Sequence, residues 1–183
     1  MLPDSVRKAL RFYFITDDGA PDLSPLKQVA CAVRAGATLI QYRNKKFSPS
    51  RFGEVKAIRD FCKCNGVPFV VNDNILLAKA VDADGVHLGQ DDEDPSVARA
   101  VMGEHALIGV SVSTLDELRR TDFSECDYIG SGPVFSTATK ADAKAVIGLS
   151  GFETIIRQTD LPVVAIGGID SSNAKSCFDH GAD

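Results

Sequence analysis

Short apolar runs recur along the chain, and each is followed by a segment with helical spacing. The runs cover residues 12–16, 38–43, 68–72, 85–88, 107–111, 128–130 and 162–166. They are close to continuous in apolar character rather than alternating, as strands buried on both faces are. Between them lie helix signals. Ser24 stands as an N-cap with Pro25 at the first helical position. Ser48-Pro49-Ser50 opens a second helix whose Phe52, Val55, Ile58 and Phe61 are three or four apart. Shorter helical segments follow Asn74, Asp94, Thr114, Leu149 and Ser171. A strand followed by a helix, repeated in this way, predicts parallel strands joined by crossover helices.

A small or acidic element leads into several of these strands: Ala35-Gly36-Ala37-Thr38, Val81-Asp82-Ala83-Asp84 and Glu125-Cys126-Asp127. The chain ends on the same phrase, His180-Gly181-Ala182-Asp183, with no strand after it. The expectation is an α/β (βα)8 TIM barrel whose eighth βα unit is missing from this sequence. It would be a single domain over residues 1–183, incomplete at its C-terminus. The alternative is an open doubly wound sheet. That reading lacks a Gly-x-Gly-x-x-Gly turn after the first strand, where "TDDGAPD" stands instead.

Composition narrows the function classes. With 183 residues and 44% apolar content the chain can build a sizeable core. A net charge of -5 and no basic stripe argue against a nucleic-acid partner. No run is long enough to span a bilayer. The five cysteines, Cys31, Cys62, Cys64, Cys126 and Cys177, form no pairable framework, and Cys62-x-Cys64 has no partner ligands nearby in sequence. Unpaired thiols fit a reducing cytoplasm. The oligomeric state is left open, with a homo-oligomer allowed.

In either architecture ligands collect at the C-terminal strand ends. Strand two ends in Gln41, Arg43 and Lys45, which alternate and so leave one face of an extended chain. Cations turned into a rim call for an anion; the competing reading is a solvated loop. Strand three ends Asn72-Asp73-Asn74 and strand four reaches Asp91 and Asp92. Asp73 and Asp92 on neighbouring loops can share Mg²⁺, which favours one or two carboxylates, waters and phosphate oxygens. Asp73 or Asn74 could instead cap a helix, and Asp91–Asp94 could be an acidic surface turn. Strand five ends at Ser111 and Ser113. Strand six leads into Gly132–Lys140, "GPVFSTATK", which crowds Ser136, Thr137 and Thr139 against Lys140. Strand seven ends Gly167-Gly168, where backbone N–H groups can approach an anion ahead of a helix. His87 fits a core role better than a catalytic one, and no Ser/His/Asp or Cys/His nucleophilic set is evident. The chemistry suggested is departure of a diphosphate, with a second phosphorylated substrate nearby.

Six segments in register carry a family resemblance: "QYRNK", "VNDN", "DADGVHLGQDD", "IGVSVST", "GPVFSTATK" and "PVVAIGGI". Over nearly its whole length the chain resembles the thiamine phosphate synthase (thiamine-phosphate pyrophosphorylase) family. The resemblance implies a (βα)8 barrel that joins hydroxymethylpyrimidine diphosphate to hydroxyethylthiazole phosphate, giving thiamine phosphate and diphosphate. It implies that Gln41, Arg43 and Lys45 hold the pyrimidine diphosphate beside Asn72, and that Asp73 and Asp92 bind Mg²⁺. Ser111 and Lys140 would also meet the diphosphate. Thr137 and Thr139 would line the thiazole phosphate side, with Gly168 donating from its backbone. Asn74 stands where many members carry arginine. The family continues past the position of Asp183 with a strand and a serine-containing turn that grips the thiazole phosphate.

Two rival readings remain. A thiazole tautomerase shares the barrel, but its working histidine would fall at Ser113. A non-catalytic barrel binding thiamine precursors or phosphates has no use for paired carboxylates beside a phosphate unless a metal joins them.

Overall fold

The computed structural model describes residues 3–20, 22–137 and 145–183. Seven strands pair in chain order: β1 (Tyr13–Ile15), β2 (Leu39–Tyr42), β3 (Phe69–Asn72), β4 (Gly85–Leu88), β5 (Leu107–Val112), β6 (Tyr128–Ser131) and β7 (Val163–Ala165). Every neighbouring pair is parallel. The helices are α1 (Pro3–Leu10), α2 (Pro25–Arg34), α3 (Phe52–Cys64), α4 (Ile75–Val81), α5 (Pro95–Met102), α6 (Leu115–Arg120), α7 (Gly148–Ile156) and α8 (Ala174–Asp179). A 3₁₀ turn, Pro49–Arg51, leads into α3.

The sheet curls into a barrel. Tyr13 on β1 and Tyr128 on β6 are far apart in strand order, yet their hydroxyls lie 2.8 Å apart. Only a sheet closing on itself brings them together. β7 has no strand partner beyond β6, and β1 none beyond β2, among the described residues. Between them lies a cavity of about 690 Å³ lined by Ile15, Val164, Ile166 and Phe178.

The acidic strand entries acquire a physical cause here. Asp84, just before β4, accepts the N–H of Phe69 at the start of β3 at 2.8 Å. Asp127, just before β6, accepts from Ile108 near the start of β5 at 2.8 Å. Thr38 does the same for Phe12 beside β1 at 2.8 Å. Asp183 accepts from Val163, the first residue of β7, at 2.9 Å. Each side chain satisfies a strand N–H left open at the barrel's N-terminal face.

Apolar packing separates inside from outside. Outward residues such as Ile40, Val71, Val86 and Ile108 pack under α2–α5 with Val55 and Ile58. Val112, Ile129 and Val163 pack with Leu118 and Phe152 under α6 and α7. The inward layer is Leu39, Val70, Leu107, Tyr128 and Val164, closed from below by Val6 and Leu10 of α1. No apolar run in the sequence marks α1. Burying Val6 and Leu10 contributes roughly 3–6 kcal/mol, enough to hold an eight-residue helix that would not persist alone.

The helix starts follow their caps. Asn74 accepts the N–H of Leu77, Asp94 that of Ser96, and Thr114 that of Glu117. Ser24 precedes Pro25 as expected but makes no side-chain cap bond. α8 begins at Ala174, later than the sequence suggests, because Asp170 first closes a turn on Ser172 and Asn173. Among the described residues no helix is long and apolar enough to cross a membrane.

Candidate active site

The strand register carries the polar residues to one rim. Ile15 pairs with Gln41, Asn72 with His87, and Val112 with Ser131. Above them opens a cavity of about 300 Å³. Gln41, Arg43 and Lys45 line it, with Asn72, Asp73 and Asp92 opposite. Ser111 and Thr137 complete the wall. Gly168 lies in the adjoining slot beside β1, which Arg43 and Thr137 also border. Thr139 and Lys140 lie outside the described residues.

Alternation places β2 as expected. Tyr42 is buried outward, while Gln41 and Arg43 are buried facing the cavity. The Arg43 backbone is clamped at the end of β1: its N–H donates to Thr16 Oγ1 at 2.9 Å. Lys45 Nζ donates to Asp73 Oδ2 at 2.7 Å, and this contact raises the lysine pKa above its ordinary value.

Asp73 and Asp92 come together. Burial, and then the hydrogen bond shared with Asp92, raise the Asp73 pKa; the Lys45 ammonium opposes them. Two carboxylates brought together repel one another, and a cation between them relieves that repulsion. Asp73 also holds a left-handed backbone, φ 61, uncommon for a residue other than glycine. That turn leaves Asn74 to cap α4 and turns Asp73 to the rim. Asp92 Oδ2 is pinned by the Gly89 N–H at 2.7 Å. Among the described residues no cluster of three or more His, Cys, Asp or Glu side chains exists. A two-carboxylate site matches the donor set of Mg²⁺, which completes its shell with water and phosphate oxygens.

The Gly167-Gly168 turn owes its glycines to close packing. A Cβ on Gly167 would stand 2.6 Å from Pro133 Cβ, and one on Gly168 would stand 2.4 Å from the Ser136 carbonyl oxygen. Both residues also hold positive φ, 95 and 65. The expected contribution of a following helix dipole is not supported, because the turn at Asp170 separates α8 from the glycines.

Sequence reasoning missed one group. Gln41 Nε2 donates to Tyr13 Oη at 2.5 Å, and Tyr13 Oη meets Tyr128 Oη at 2.8 Å. Tyr128 Oη lies 3.0 Å from His87 Nδ1, and His87 Nε2 lies 2.9 Å from Ser111 Oγ. His87 is therefore both a core histidine and a wall of the cavity. β4 and β5 bring Ser111 and His87 into hydrogen-bond contact, which resembles part of a Ser/His/Asp set. Still, the third member is a phenol. Burial pushes the Tyr128 pKa well up, so it offers no anion to support an imidazolium, as an acyl-transfer triad requires. The signal available in the sequence was strand period: Tyr128, two residues before Gly130, shares its inward face. Gln90, also unforeseen, steadies the end of β5 by donating to the Ser111 carbonyl at 2.8 Å.

Comparison with known proteins identifies the family. Residues 12–183 match the family described as thiamine monophosphate synthase. The chain is 40% identical to thiamine-phosphate synthase from Bacillus velezensis, covering 98% of this chain and 82% of that one. It is 43% identical to the Chloroflexus aurantiacus thiamine-phosphate synthase, covering 94% and 81%. Thiamine phosphate pyrophosphorylase from Pyrococcus furiosus superposes with a TM-score of 0.83 at 37% identity, covering 97% and 84%. An N-acetylmannosamine-6-phosphate 2-epimerase from Clostridium perfringens, at 14% identity and TM-score 0.68, shares the fold alone. Barrel, rim and relatives together place the chain in the thiamine monophosphate synthase family, a family of transferases.

Proposed function

We propose that the protein condenses 4-amino-2-methyl-5-hydroxymethylpyrimidine diphosphate with 4-methyl-5-(2-hydroxyethyl)thiazole phosphate. The products are thiamine phosphate and diphosphate, formed by a dissociative route assisted by Mg²⁺. The observation that carries this reading is the Asp73–Asp92 pair, with Lys45 on Asp73 and Arg43 on the same cavity wall.

Asp73 and Asp92 would hold the Mg²⁺, which supplies positive charge to the leaving oxygens. The bond from the pyrimidine methylene carbon to the diphosphate oxygen breaks, and its electron pair leaves with the diphosphate. Arg43 and Lys45, joined by Lys140, stabilise that charge where it develops. Ser111 donates to a diphosphate oxygen, and Gln41 and Asn72 orient the pyrimidine end. The thiazole nitrogen then gives its lone pair to the methylene carbon and closes the C–N bond. Thr137 and Thr139 hold the thiazole phosphate, with the Gly168 N–H. No protein nucleophile enters, in keeping with a Ser111–His87 pair that lacks an anionic third member.

The test is diphosphate release and thiamine phosphate formation from the two substrates, with Mg²⁺ and with a chelator. Turnover that requires Mg²⁺ is expected. Absence of both products in Mg²⁺ overturns the assignment.

A further inference from the structure

We propose that Gln41, Tyr13, Tyr128 and His87 form a one-way hydrogen-bond chain that turns the Ser111 hydroxyl proton into the rim cavity. His87, Tyr128 and Tyr13 are positioning residues on this view, and Ser111 is an anion donor rather than a nucleophile. The inference rests on the reading of Ser111 as a diphosphate contact.

The direction follows from counting protons. The Gln41 amide nitrogen can only donate, and it donates to Tyr13 Oη. In the order proposed here, Tyr13, having accepted from Gln41, places its own proton on Tyr128 Oη. Tyr128 passes its proton toward His87 Nδ1. A neutral imidazole that accepts at Nδ1 carries its hydrogen on Nε2. That N–H donates to Ser111 Oγ. The serine proton is left to point away from the chain, toward the cavity that both Ser111 and His87 line.

The opposite order has an opposite consequence. Hydrogen on Nδ1 would make Nε2 the acceptor of the Ser111 proton. The serine would then present lone pairs to the cavity and repel a phosphate oxygen, while taking on the geometry of a base-activated nucleophile. One set of heavy-atom positions thus serves two chemistries, and the proton order decides between them. Burial favours a durable chain: it raises the pKa of both Tyr13 and Tyr128, so each phenol keeps its proton at working pH.

The test has two readouts. In histidine-labelled full-length protein, ¹⁵N shifts distinguish the two ring tautomers; His87→Gln assigns the resonance among the three histidines. Nδ1 without hydrogen is expected. Titration with inorganic diphosphate in Mg²⁺ supplies the second readout for wild type, Ser111→Ala, Tyr128→Phe and the double variant. Ser111→Ala should weaken binding by roughly 10- to 100-fold, the range of a hydrogen bond to a charged group. Tyr128→Phe should weaken it by about 3- to 10-fold, a fraction of that same bond. The double variant should bind no more weakly than Ser111→Ala alone. If Tyr128→Phe does not fold, Tyr13→Phe cuts the chain one link earlier. Hydrogen on Nδ1, or a double variant whose loss is the product of the single losses, overturns the proposal. Correct tautomer and coupling without thiamine phosphate formation would refute the reaction and leave the chain standing.

Discussion

Gly109 is a position where one added methyl group should disrupt the polar layer inside the barrel. It lies on β5 against the Tyr128 ring. A Cβ there would stand 2.0 Å from Tyr128 Cζ and 2.4 and 2.5 Å from the two Cε atoms. Carbon atoms rest at about 3.5–4.0 Å, so the ring would have to retreat by about 1.5 Å. Cζ carries the hydroxyl that meets Tyr13 at 2.8 Å and His87 at 3.0 Å. A shift of that size takes both contacts beyond hydrogen-bond range. Overpacking costs about 1–3 kcal/mol, and two broken buried bonds add about 1 kcal/mol each. Gly109→Ala should therefore lose roughly 3–5 kcal/mol, a large share of the 5–15 kcal/mol typical of a domain. Urea unfolding measures it. The chain has no tryptophan and three tyrosines, two of them this pair, so tyrosine fluorescence reports on the site itself. Tyr128→Leu removes the obstructing ring edge, so the double variant should lose less than the sum of the single losses. Gly109→Ala unfolding within about 0.5 kcal/mol of wild type, the spread of a neutral substitution, would refute the packing argument.

Two further outcomes follow from residues away from the rim. Arg99 on α5 donates to the carbonyls of Ala106 at 2.7 Å and Glu125 at 2.9 Å, and pairs with Asp127 at 2.9 Å. Arg99→Ala should cost about 2–4 kcal/mol, since it leaves a partly buried carboxylate without its partner; turnover well below the melting temperature should not change, because these groups lie at the N-terminal ends of β5 and β6. A turnover loss at 25 °C without a stability loss would contradict it. Burial pushes the Cys62 and Cys126 thiols up to about 12. They stay neutral when folded, whereas an unfolded chain ionises its thiols from about 8.5. The folded state binds more protons there, so this contribution is intact below about pH 8.5 and is lost as pH rises toward about 12. Urea midpoints between pH 8 and 11 should decline, less steeply in the Cys62→Ala/Cys126→Ala variant; a flat profile would contradict this.

Most strands were legible because they are buried on both faces, so composition alone marks them: residues 85–88 read as a strand and form β4 as Gly85–Leu88, buried throughout. Helix starts were legible wherever a side chain makes the cap, as at Asn74, Asp94 and Thr114. α8 was misplaced because Asp170 spends its oxygen on a turn before any helix begins. α1 was invisible because its apolar contacts are with inward strand residues far along the chain, Leu39, Val70, Leu107, Tyr128 and Val164. At the site, charged and acidic residues announced themselves by type and alternation. The tyrosines did not. Tyr13 and Tyr128 look like ordinary strand residues until β1 and β6, 115 residues apart, meet across the barrel.

That concealment has a physical basis in the layering of the barrel. The lowest layer, Leu39, Val70, Leu107 and Val164 over α1, is apolar and needs only volume. The rim, with Arg43, Lys45, Asp73 and Asp92, needs charge, and charge near a cavity is visible in any sequence. The middle layer must join the two, and there each polar atom faces a desolvation cost that only a partner removes. Gln41, Tyr13, Tyr128, His87 and Ser111 remove it for one another, end to end. The chain carries a net charge of -5, so its overall field does not draw a diphosphate in, and beyond about 8–10 Å that field is largely screened. Capture must come from groups within contact range, held where they are needed before the anion arrives. A hydrogen-bonded layer locked beneath the rim meets that requirement, since a hydroxyl whose direction is already settled has no orientation left to lose on binding.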